Sequence, residues 1–590
     1  MEKEWIIQPE APESFFAEHP ELPKVVANLL YHRGIIDSKK IDEFLNPDYT
    51  QDVHDPFLFF DMKKAVDRIF EAIEKQERIV VHGDYDADGV CSSAILNSTL
   101  KALGLNKTNI FLPHREVDGY GLNKNTVQLL ADEKTDLVIT CDCGITNIEE
   151  VEMANEKGID VIISDHHSVP DILPPAFAII HPQRKDDNYP DQGLCGAGVA
   201  FKIAQALIKK HAENNEKMPN GDSHEGFEKW MLGLVAIATV ADMVPLLGES
   251  RTLTKYGLVV LNKTKRIGLQ KLLLEARLVE ENGDKKHELD TETIGFKIAP
   301  RINAAGRMNH ANVAYNLMMT DDPIEAADLA FELNKNNQDR QKITENLVKQ
   351  ALEQIEKNQK DSPVLFVLGN GWSTGIIGLI AGKIKEKFYK PTLIMTENDG
   401  EITGSGRSIE GFSIVDALQS MPEHFSKFGG HPMACGFTLK SKSDIEPFKE
   451  KMVQKFNEVF SGEKPKSTIL IDTQINLEDV NWELHDILEK FQPFGQSNEK
   501  PRYLAKGLSI TSIKPMGKNG NHITLMVKHN TENIRKTIGW NLCAETDGHT
   551  NWCKTLKQGD KVDLVFEVDI NEWNGNRELQ LTIKDINLSS

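Results

Sequence analysis

The sequence has few of the features that mark membrane-bound, secreted or disulfide-stabilised proteins. It contains no run of about eighteen apolar residues, which is the length that a membrane-spanning helix needs. Its first residues, MEKEWIIQPEAPE, are polar and acidic, so we expect no secretory signal. The cysteines number only 7 in 590 residues and are widely spread, which argues against a disulfide framework and favours a reducing, cytoplasmic location. Cys141 and Cys143 have no second cysteine pair at zinc-finger spacing, so we predict no zinc site.

Positive charge is also scarce. Lysine and arginine total 68 against 89 aspartate and glutamate residues, which gives a formal net charge of −21. This balance argues against a protein that coats nucleic acid unselectively, because such binding is driven by the neutralisation of phosphates. It leaves room for a local basic channel and for an acidic site that holds cations.

The length and the hydrophobic patterning predict an α/β protein of several domains. Between residues 64 and 255, short apolar runs such as LVIT and VIIS alternate with amphipathic stretches, which is typical of βαβ units with a parallel sheet. A long uninterrupted helical pattern from Asp321 to about Lys360 predicts a connector helix, and a second α/β unit follows it. Beyond residue 465, alternating strands such as ITLMV and VDLVFEV predict a small β-barrel. The predicted domains are 1–63 (an N-terminal extension), 64–255, 256–360, 361–464 and 465–590.

Acidic and histidine-rich segments follow the predicted strands of the first α/β domain. His82–Gly89, Cys141–Gly144 and Ser164–His167 each come directly after an apolar run, and Val240–Pro245 lies further along the chain. Because ligands gather at the carboxyl ends of parallel strands, we expect these segments to converge. So many carboxylates repel one another unless cations neutralise them. The candidate residues are His82, Asp84, Asp86, Asp88, Asp142, Asp165, His166, His167 and Asp242.

Mixed carboxylate and imidazole ligands favour Mn²⁺, with Mg²⁺ as the second choice. Two such ions, bridged by a carboxylate such as Asp142, would activate water and stabilise the charge that develops on a phosphorane. The sequence therefore predicts phosphoester hydrolysis with two divalent cations as cofactors.

Several segments resemble a known family. HGDYDADG, the segment around Asp142, DHH at 165–167 and VADMVP are similar to the four motifs of the DHH phosphoesterases, and GGHPMACGF is similar to the GGH motif of their second domain, the DHHA1 domain. Five further segments narrow the resemblance to the RecJ family of single-strand exonucleases, over about residues 60–590. They are PHREVDGYGL, LCGAGVAFK, PRINAAGRM, GSGRSI and PFGQSNEKP.

The resemblance implies roles for individual residues. It implies that His82, Asp86, Asp88, Asp142, His166 and Asp242 ligate metal, with Asp142 bridging. Asp84 and Asp165 would support the ligands, although the sequence leaves open which of Asp84 and Asp86 binds metal directly, and His167 would contact the scissile phosphate. Ser405 and Arg407, with Arg301 or Arg307, would hold the 5′-terminal phosphate, which suits arginine forks and a hydroxyl. Further substrate contacts would come from Arg115, Tyr120, Gly430 and His431.

The activity that the resemblance implies is 5′→3′ hydrolysis of single-stranded DNA to 5′-mononucleotides, in recombination and repair. The implied partners are a single strand with a 5′ end, a single-stranded-DNA-binding protein and a RecQ-type helicase. The C-terminal barrel resembles an OB fold, and Trp540 and Trp573 are its candidate stacking residues. We expect a monomer without membrane contact.

A basic segment offers a path for the strand. Residues 251–310 contain twelve lysines and arginines against seven acidic residues. We hypothesise that part of this segment, with the connector helix, lines a channel that leads to the metals. The alternative is a solvated charged surface.

Three other functions fit parts of the sequence. A phosphodiesterase for short oligonucleotides or cyclic dinucleotides would not need the C-terminal barrel or the N-terminal extension. A non-catalytic DNA-binding scaffold would have lost acidic ligands, and all of them are present here. The segment GWSTG at 371–375 matches a hydrolase nucleophile motif, with His431 as its base, but that interpretation leaves the acidic cluster unexplained. Two positions depart from the family pattern, Ser373 (usually His) and Ser250 (usually Asn).

Overall fold

The computed structural model describes residues 3–105, 107–544, 550–573 and 576–589. The chain forms two compact units. The central unit comprises Val53–Val244 and Glu249–Pro465, and the terminal unit comprises Met1–Asp52, Pro245–Gly248 and Lys466–Ser590. None of the described helices is long and apolar enough to cross a bilayer.

The N-terminal part of the terminal unit is mostly helical. Asp37 caps the third helix, because its carboxylate accepts hydrogen bonds from the backbone N–H groups of Lys39 and Lys40. The elements are β1 (Glu4–Ile7), α1 (Glu13–Glu18), α2 (Lys24–His32), α3 (Ser38–Leu45) and α4 (Tyr49–Asp52).

The central unit begins with a parallel sheet of five strands in the order β3-β2-β4-β5-β6. Strands β2 and β4 are buried along their whole length, as expected for a parallel sheet that helices cover. The elements are α5 (Met62–Lys75), β2 (Ile79–His82), α6 (Ala87–Ala102), β3 (Thr108–Phe111), α7 (Lys124–Asp132), β4 (Leu137–Thr140), α8 (Ile148–Glu156), β5 (Asp160–Ser164) and β6 (Ala178–Ile180).

A helical region follows the sheet and ends in the predicted connector helix. This helix, α17, starts with Asp322 as its cap and Pro323 in its first turn and runs for 36 residues. A π-helical turn at Ile294–Ile298 precedes α15. The helices are α9 (Gly196–Ala212), α10 (His224–Trp230), α11 (Leu232–Ala241), α12 (Gly248–Leu261), α13 (Ile267–Glu275), α14 (Thr291–Thr293), α15 (Ala299–Met308), α16 (Asn312–Met319) and α17 (Pro323–Asn358).

The second sheet of the central unit is mixed, in the order β10-β11-β9-β8-β7, and only β7 and β8 are parallel. It confirms the predicted second α/β unit. The elements are β7 (Leu365–Asn370), α18 (Thr374–Phe388), β8 (Thr392–Asn398), β9 (Glu401–Arg407), α19 (Ile414–Gln419), β10 (Phe425–His431), β11 (Ala434–Leu439) and α20 (Ile445–Phe460).

The C-terminal part of the terminal unit contains a closed barrel, because β14 pairs with both β15 and β17. This confirms the predicted OB-type barrel. The elements are β12 (Thr468–Ile471), β13 (Thr473–Gln474), α21 (Trp482–Glu489), β14 (Tyr503–Met516), β15 (His522–Lys528), β16 (Ile534–Gly539), α22 (Trp552–Thr555), β17 (Lys561–Trp573) and β18 (Asn576–Leu588).

The two ends of the chain share one core. Phe15, Leu30 and Phe44 belong to the same buried cluster as Phe491 and Phe566, and the rings of Phe44 and Phe491 lie 5.1 Å apart. Strand β1 also pairs in parallel with β12. The N-terminal segment is therefore part of the same unit as the barrel, although the domain boundaries given above remain a prediction.

One cysteine expectation needs correction. The structure pairs Cys543 with Cys553 in a disulfide across the connection between β16 and β17, whereas the cysteine pattern argues against disulfides. The pairing depends on the path of the chain between two strands, which a cysteine count does not reveal. The remaining five cysteines are free and buried.

Candidate metal centre and phosphate-binding cluster

The aspartate-rich loop after β2 is fixed by two helix N-termini. Asp86 caps α6, and its carboxylate accepts hydrogen bonds from the N–H groups of Asp88 (2.9 Å) and Gly89 (3.2 Å). The buried carboxylate of Asp88 accepts from the first two N–H groups of α9, at Gly196 (2.7 Å) and Ala197 (2.6 Å). The α9 N-terminus therefore faces the Asp88 carboxylate with its partial positive charge, which offsets only part of the negative charge.

The loops after β4 and β5 bring Asp142 and the DHH segment together. Asp142 has a left-handed backbone with φ of 62°, and its N–H donates to the carbonyl of Ser164 at 3.0 Å. Asp165 accepts from the backbone N–H groups of Ile145 (2.9 Å) and His166 (2.7 Å). These bonds hold Asp165 behind the cluster, where it orients the two histidines.

The predicted ligands converge as three overlapping groups, in each of which the ligand atoms lie within 4.8 Å of one another. His166 Nε2 lies 3.1 Å from Asp142 Oδ1 and 3.6 Å from Asp242 Oδ2. Asp84 and Asp86 both belong to a group with Asp142, so the geometry admits either as a ligand. The groups are Asp142 with His166 and His167, Asp88 with His166 and Asp242, and Asp84 with Asp86 and Asp142.

The close packing of acidic groups in this cluster shifts the pKa values of its aspartates and histidines strongly. Burial and then repulsion by neighbouring aspartates raise the pKa of Asp88 to about 7 and that of Asp242 to about 8. The same two causes raise the pKa of Asp142 well above its ordinary range. Burial and the nearby charge of His167 lower the pKa of His166 to about 3, so its imidazole is neutral and able to ligate.

Unpartnered buried atoms show that divalent cations fit this set. Of the described residues, none hydrogen-bonds His82 Nε2 or Asp84 Oδ1, although both atoms are buried. Burial lowers the pKa of His82 to about 4, which keeps its imidazole neutral. His82 lies outside the three groups given above. Carboxylate oxygens and neutral imidazoles are the ligands that Mn²⁺ and Mg²⁺ sites use.

His167 is held differently from His166. Its Nδ1 lies 2.8 Å from Asp165 Oδ1 and 2.9 Å from the hydroxyl of Tyr120. Burial opposes the charged imidazole, but the bond to Asp165 raises the pKa of His167 to about 9. The Tyr120 hydroxyl also donates to the carbonyl of Asp142 at 2.9 Å. The predicted substrate residue Tyr120 therefore lies directly against the metal cluster.

Several predicted phosphate-binding residues form a second cluster in the same unit. Arg307 donates to the carbonyl of Gly375 at 2.8 Å, and Arg115 stacks on the ring of Tyr85 at 3.8 Å. Burial and then the positive charges of Arg115 and Arg340 lower the pKa of Arg307 to about 10. Such repulsion among partly buried arginines is relieved when an anion binds between them.

Ser405 and Arg407 lie on β9 beside α18. Arg407 donates to the Ser405 hydroxyl at 3.1 Å and to the carbonyl of Gly406 at 2.8 Å. A Cβ atom at Gly378 would lie 3.0 Å from Arg407 Nη2, and one at Gly375 would lie 2.9 Å from the Arg307 carbonyl oxygen. The glycines of α18 therefore allow both arginines to approach the same helix.

The structure separates Arg301 from Arg307. Arg301 donates to Asn334 at 3.1 Å and to the carbonyl of Lys297 at 2.6 Å. Gly430 has φ of 141° and pairs with Cys435, and His431 ends β10 as an exposed residue. After burial and the charge of His167, the charge of His431 makes a small contribution that lowers the pKa of His166.

Two sequence hypotheses change with the structure. The hydroxyl of Ser373 donates to Glu116 at 3.3 Å and not to His431, so the GWSTG segment has the strand-turn-helix form of a nucleophile motif without its base. In the basic segment 251–310, Arg251 is buried, and the half-buried Arg266 donates to the carbonyl of Met318. Arg251 therefore cannot line a channel, and the guanidinium of Arg266 is held by the helical packing.

Sequence reasoning missed several supporting residues. It assigned no role to Gly196 and Ala197, although LCGAGV places small residues at a helix start and so offered a signal. Asn303 accepts from the N–H of Ala87 at 2.7 Å and fixes the start of α6. Ser250, which stands where the family usually has Asn, has a structural role, because its buried hydroxyl donates to the carbonyl of Gly193 at 2.9 Å.

Family models and relatives agree with this geometry. The DHH family N-terminal domain matches residues 78–239, the DHHA1 domain matches 361–460, and the RecJ OB domain matches 471–585. The single-stranded-DNA-specific exonuclease RecJ of Escherichia coli K12 is 31% identical, over 96% of each chain. The chain belongs to the RecJ family. The RecJ of Bacillus subtilis strain 168 is 33% identical over 97% of this chain and 69% of its own length.

Solved RecJ structures share the fold. RecJ from Thermus thermophilus in complex with Mn²⁺ superimposes with a TM-score of 0.81 at 26% identity, covering 100% of this chain and 80% of that chain. A RecJ exonuclease bound to manganese gives a TM-score of 0.57 at 32% identity, covering 69% of this chain and 96% of that chain. Structures of this RecJ fold have thus been solved with Mn²⁺.

A single methyl group tests how the metal cluster is built. A Cβ atom at Gly196 would lie 2.6 Å from Asp142 Cβ, so we expect Gly196→Ala to displace Asp142 and to weaken Mn²⁺ binding by about tenfold or more. Isothermal titration calorimetry with Mn²⁺ measures this. Gly382→Ala is the matched control, since a Cβ atom there meets nothing within 4 Å. Unchanged Mn²⁺ affinity in Gly196→Ala would contradict this account of Asp142.

Proposed function

We propose that this protein is a single-stranded-DNA exonuclease that uses two divalent cations and releases 5′-mononucleotides in the 5′→3′ direction. The observation that carries the proposal is the presence of an acidic ligand cluster and a half-buried arginine cluster in one unit. RecJ exonucleases of Escherichia coli and Bacillus subtilis, named as single-stranded-DNA-specific, are similar over nearly the whole of this chain. A site for phosphodiester chemistry beside a site for phosphate is what such an enzyme requires.

The ligand set consists of His82, Asp86 or Asp84, Asp88, Asp142, His166 and Asp242. When bound, two divalent cations supply water activation near neutral pH and neutralise charge on the phosphoryl oxygens. Asp142 is proposed as the bridging ligand because it belongs to two of the ligand groups. Imidazole among the ligands favours Mn²⁺ over Mg²⁺.

The remaining residues of the cluster position the scissile phosphate. Asp165 holds His167 through a bond of 2.8 Å, which fixes the imidazole on the side facing Tyr120. From this position, His167 would donate a hydrogen bond to a phosphate oxygen. Asp165 would act through the two histidines, because its Oδ1 accepts from the N–H groups of His166 and His167 and its other oxygen accepts from the backbone of Ile145.

The arginine cluster would set the polarity. Arg307, Arg407 and Ser405 are proposed to hold the 5′-terminal phosphate, with Arg115 contacting the next part of the strand. A terminal phosphate carries more charge than an internal one and offers more oxygens to a guanidinium fork. A strand would therefore enter with its 5′ end, and the bond nearest that end would reach the metals.

The wider biological role remains part of the proposal. A function in recombination and repair, a cytoplasmic location, a monomeric state, and partners such as a single-stranded-DNA-binding protein and a RecQ-type helicase rest on the resemblance.

End-labelled DNA tests the activity and its direction. We expect the full-length protein with Mn²⁺ to release the 5′ label of a single strand first, as a mononucleotide, to leave duplex intact, and to be inactive with chelator. Asp142→Asn should lower the rate by at least about a hundredfold, which is more than the loss of an outer-shell partner costs. Asp132→Asn, an exposed acid at the end of α7, is the control. Release of the 3′ label first would refute the direction, and an active Asp142→Asn variant would refute the bridging role.

The terminal phosphate contact can be tested separately from the chemistry. We expect Arg407→Ala to raise KM for 5′-phosphorylated strands by about tenfold or more, since a charged hydrogen bond is worth about 1.5–3 kcal/mol. Strands with a 5′ hydroxyl should change little. Steady-state kinetics on the two substrates measures this difference, and Lys383→Ala on α18 is the control. An equal effect on both substrates would show that Arg407 supports the fold rather than the 5′ end.

The barrel would provide a separate contact with a single strand. Trp540 is 52% exposed and follows β16, and its ring packs edge-on against His522 at the start of β15. These two strands correspond to the face with which OB folds bind single strands. The side chain of the other candidate, Trp573, lies outside the described residues.

We expect Trp540→Ala to weaken binding of long single strands by about 1–3 kcal/mol, the value of one stacked base. Cleavage of very short oligonucleotides should stay the same. Fluorescence anisotropy with long and short strands measures the affinities. Trp482→Ala removes an exposed tryptophan that packs on Arg577 instead and serves as the control; the same loss in both variants would argue against a stacking role.

A further inference from the structure

We propose that a polar cavity on the Arg301 side of α15 binds one nucleotide unit, its phosphate and its base together. The cavity has a volume of about 560 Å³, which lies in the range of small-molecule sites. It is bounded by the end of α13, by α15 and by the middle of α17. The residues that carry the argument are Glu275, Arg277, Arg301, Asn334, Asn337 and Gln341.

A hydrogen-bonded row preorganises one wall of the cavity. Arg301 donates to the Asn334 side-chain oxygen at 3.1 Å, and Asn334 donates through its NH₂ group to Glu275 at 3.1 Å. Asn334, Asn337 and Gln341 are three or four residues apart on α17, so they share one face of that helix. The wall thus presents fixed amide and carboxylate groups, which are the groups that recognise base edges.

The side-chain oxygen of Asn337 indicates that this wall suits a ligand with hydrogen-bond donors. The residue is 2% exposed, and among the described residues nothing hydrogen-bonds its side-chain oxygen. An unmet buried acceptor costs about 1–3 kcal/mol. Inorganic phosphate at neutral pH offers few donors, whereas the amino and imino groups of a nucleobase offer several. The base of a nucleotide therefore fits this side of the cavity.

The arginines supply the phosphate side. Arg277 has a left-handed backbone with φ of 58° at the end of α13, and its exposed guanidinium has no hydrogen-bond or ion-pair partner among the described residues. Burial lowers the pKa of Arg301, so an anion near its guanidinium would be stabilising.

This cavity is distinct from the cluster proposed for the 5′ end. Arg301 and Arg307 are six residues apart on α15, which places them on faces of the helix that differ by roughly 120°. Arg307 contacts Gly375, whereas Arg301 contacts Asn334 and Lys297. The two arginines therefore serve different sites.

Two sources would present the same chemistry to the cavity: an internal residue of the bound strand, or the free mononucleotide product. Which of the two occupies the cavity rests on the proposed function, whereas the binding of a nucleotide does not. The site is tested first with free deoxynucleoside monophosphates, titrated calorimetrically into the full-length chain with chelator present. An Arg407→Ala background removes binding at the cluster proposed for the 5′ end.

We expect a mononucleotide to bind in the Arg407→Ala background and inorganic phosphate to bind at least about tenfold more weakly. Adding Arg277→Ala or Asn337→Leu should weaken mononucleotide binding by about tenfold or more, while Lys335→Ala, an exposed change on α17, should not. Circular dichroism checks the fold, and Arg277 is exposed, so its variant keeps the test valid if Asn337→Leu misfolds. Equal affinity for phosphate and mononucleotide, or full binding in the Arg277→Ala variant, would overturn the proposal.

Strands with one abasic residue distinguish the two sources. A rise in KM when the abasic residue occupies one particular position, abolished by Arg277→Ala, would assign the cavity to the strand. Product inhibition that Arg277→Ala relieves, without any positional effect, would assign it to the released mononucleotide. If the chain cleaved no DNA, the proposed function would fail, but the mononucleotide titration would still decide whether the cavity binds a nucleotide.

Discussion

Repulsion among buried carboxylates is the constraint on which the rest of the structure depends. Burial and neighbouring acids raise the pKa of Asp88 to about 7 and that of Asp242 to about 8. The N-terminus of α9 offsets part of this negative charge, because its first N–H groups donate hydrogen bonds to Asp88. The remainder calls for cations. The cluster lies at the carboxyl edge of the parallel sheet, where ligands gather in such folds and where the N-terminus of α9 meets the strand ends.

The same reasoning explains how a chain with a net charge of −21 handles an anionic substrate. Total charge includes many exposed acids far from the site, whereas binding depends on charge at a few places. Arg115, Arg307 and Arg407 are brought together by α15, α18 and β9, and burial and mutual repulsion leave Arg307 with a lowered pKa. Such a cluster binds phosphate better than the same residues spread over a surface, because an anion relieves the repulsion among them.

Much of the fold and the ligand set could be predicted from the sequence, for a physical reason. Parallel strands end at one edge, so acids that follow β2, β4 and β5 had to meet. Interactions made by backbone groups could not be predicted in this way: the N–H groups of Gly196 and Ala197 on Asp88, and the left-handed backbone of Asp142. Contacts between distant parts of the chain also lack a periodic signal, and Phe44 against Phe491 and Cys543 with Cys553 are examples.

The glycines of α18 bring the helical region into contact with the second sheet of the central unit. Gly375 and Gly378 let this helix lie against Arg307 of α15 and Arg407 of β9, where a Cβ atom would leave separations of only 2.9 and 3.0 Å. The backbone of Arg307 is therefore held against Gly375, and the side chain of Arg407 packs over Gly378 of the same helix. Under the proposed function, this fixes the distance from a held 5′ phosphate to the metal cluster. A fixed distance of that kind would define which bond is cut, and so release one nucleotide at a time, without any reading of the base sequence.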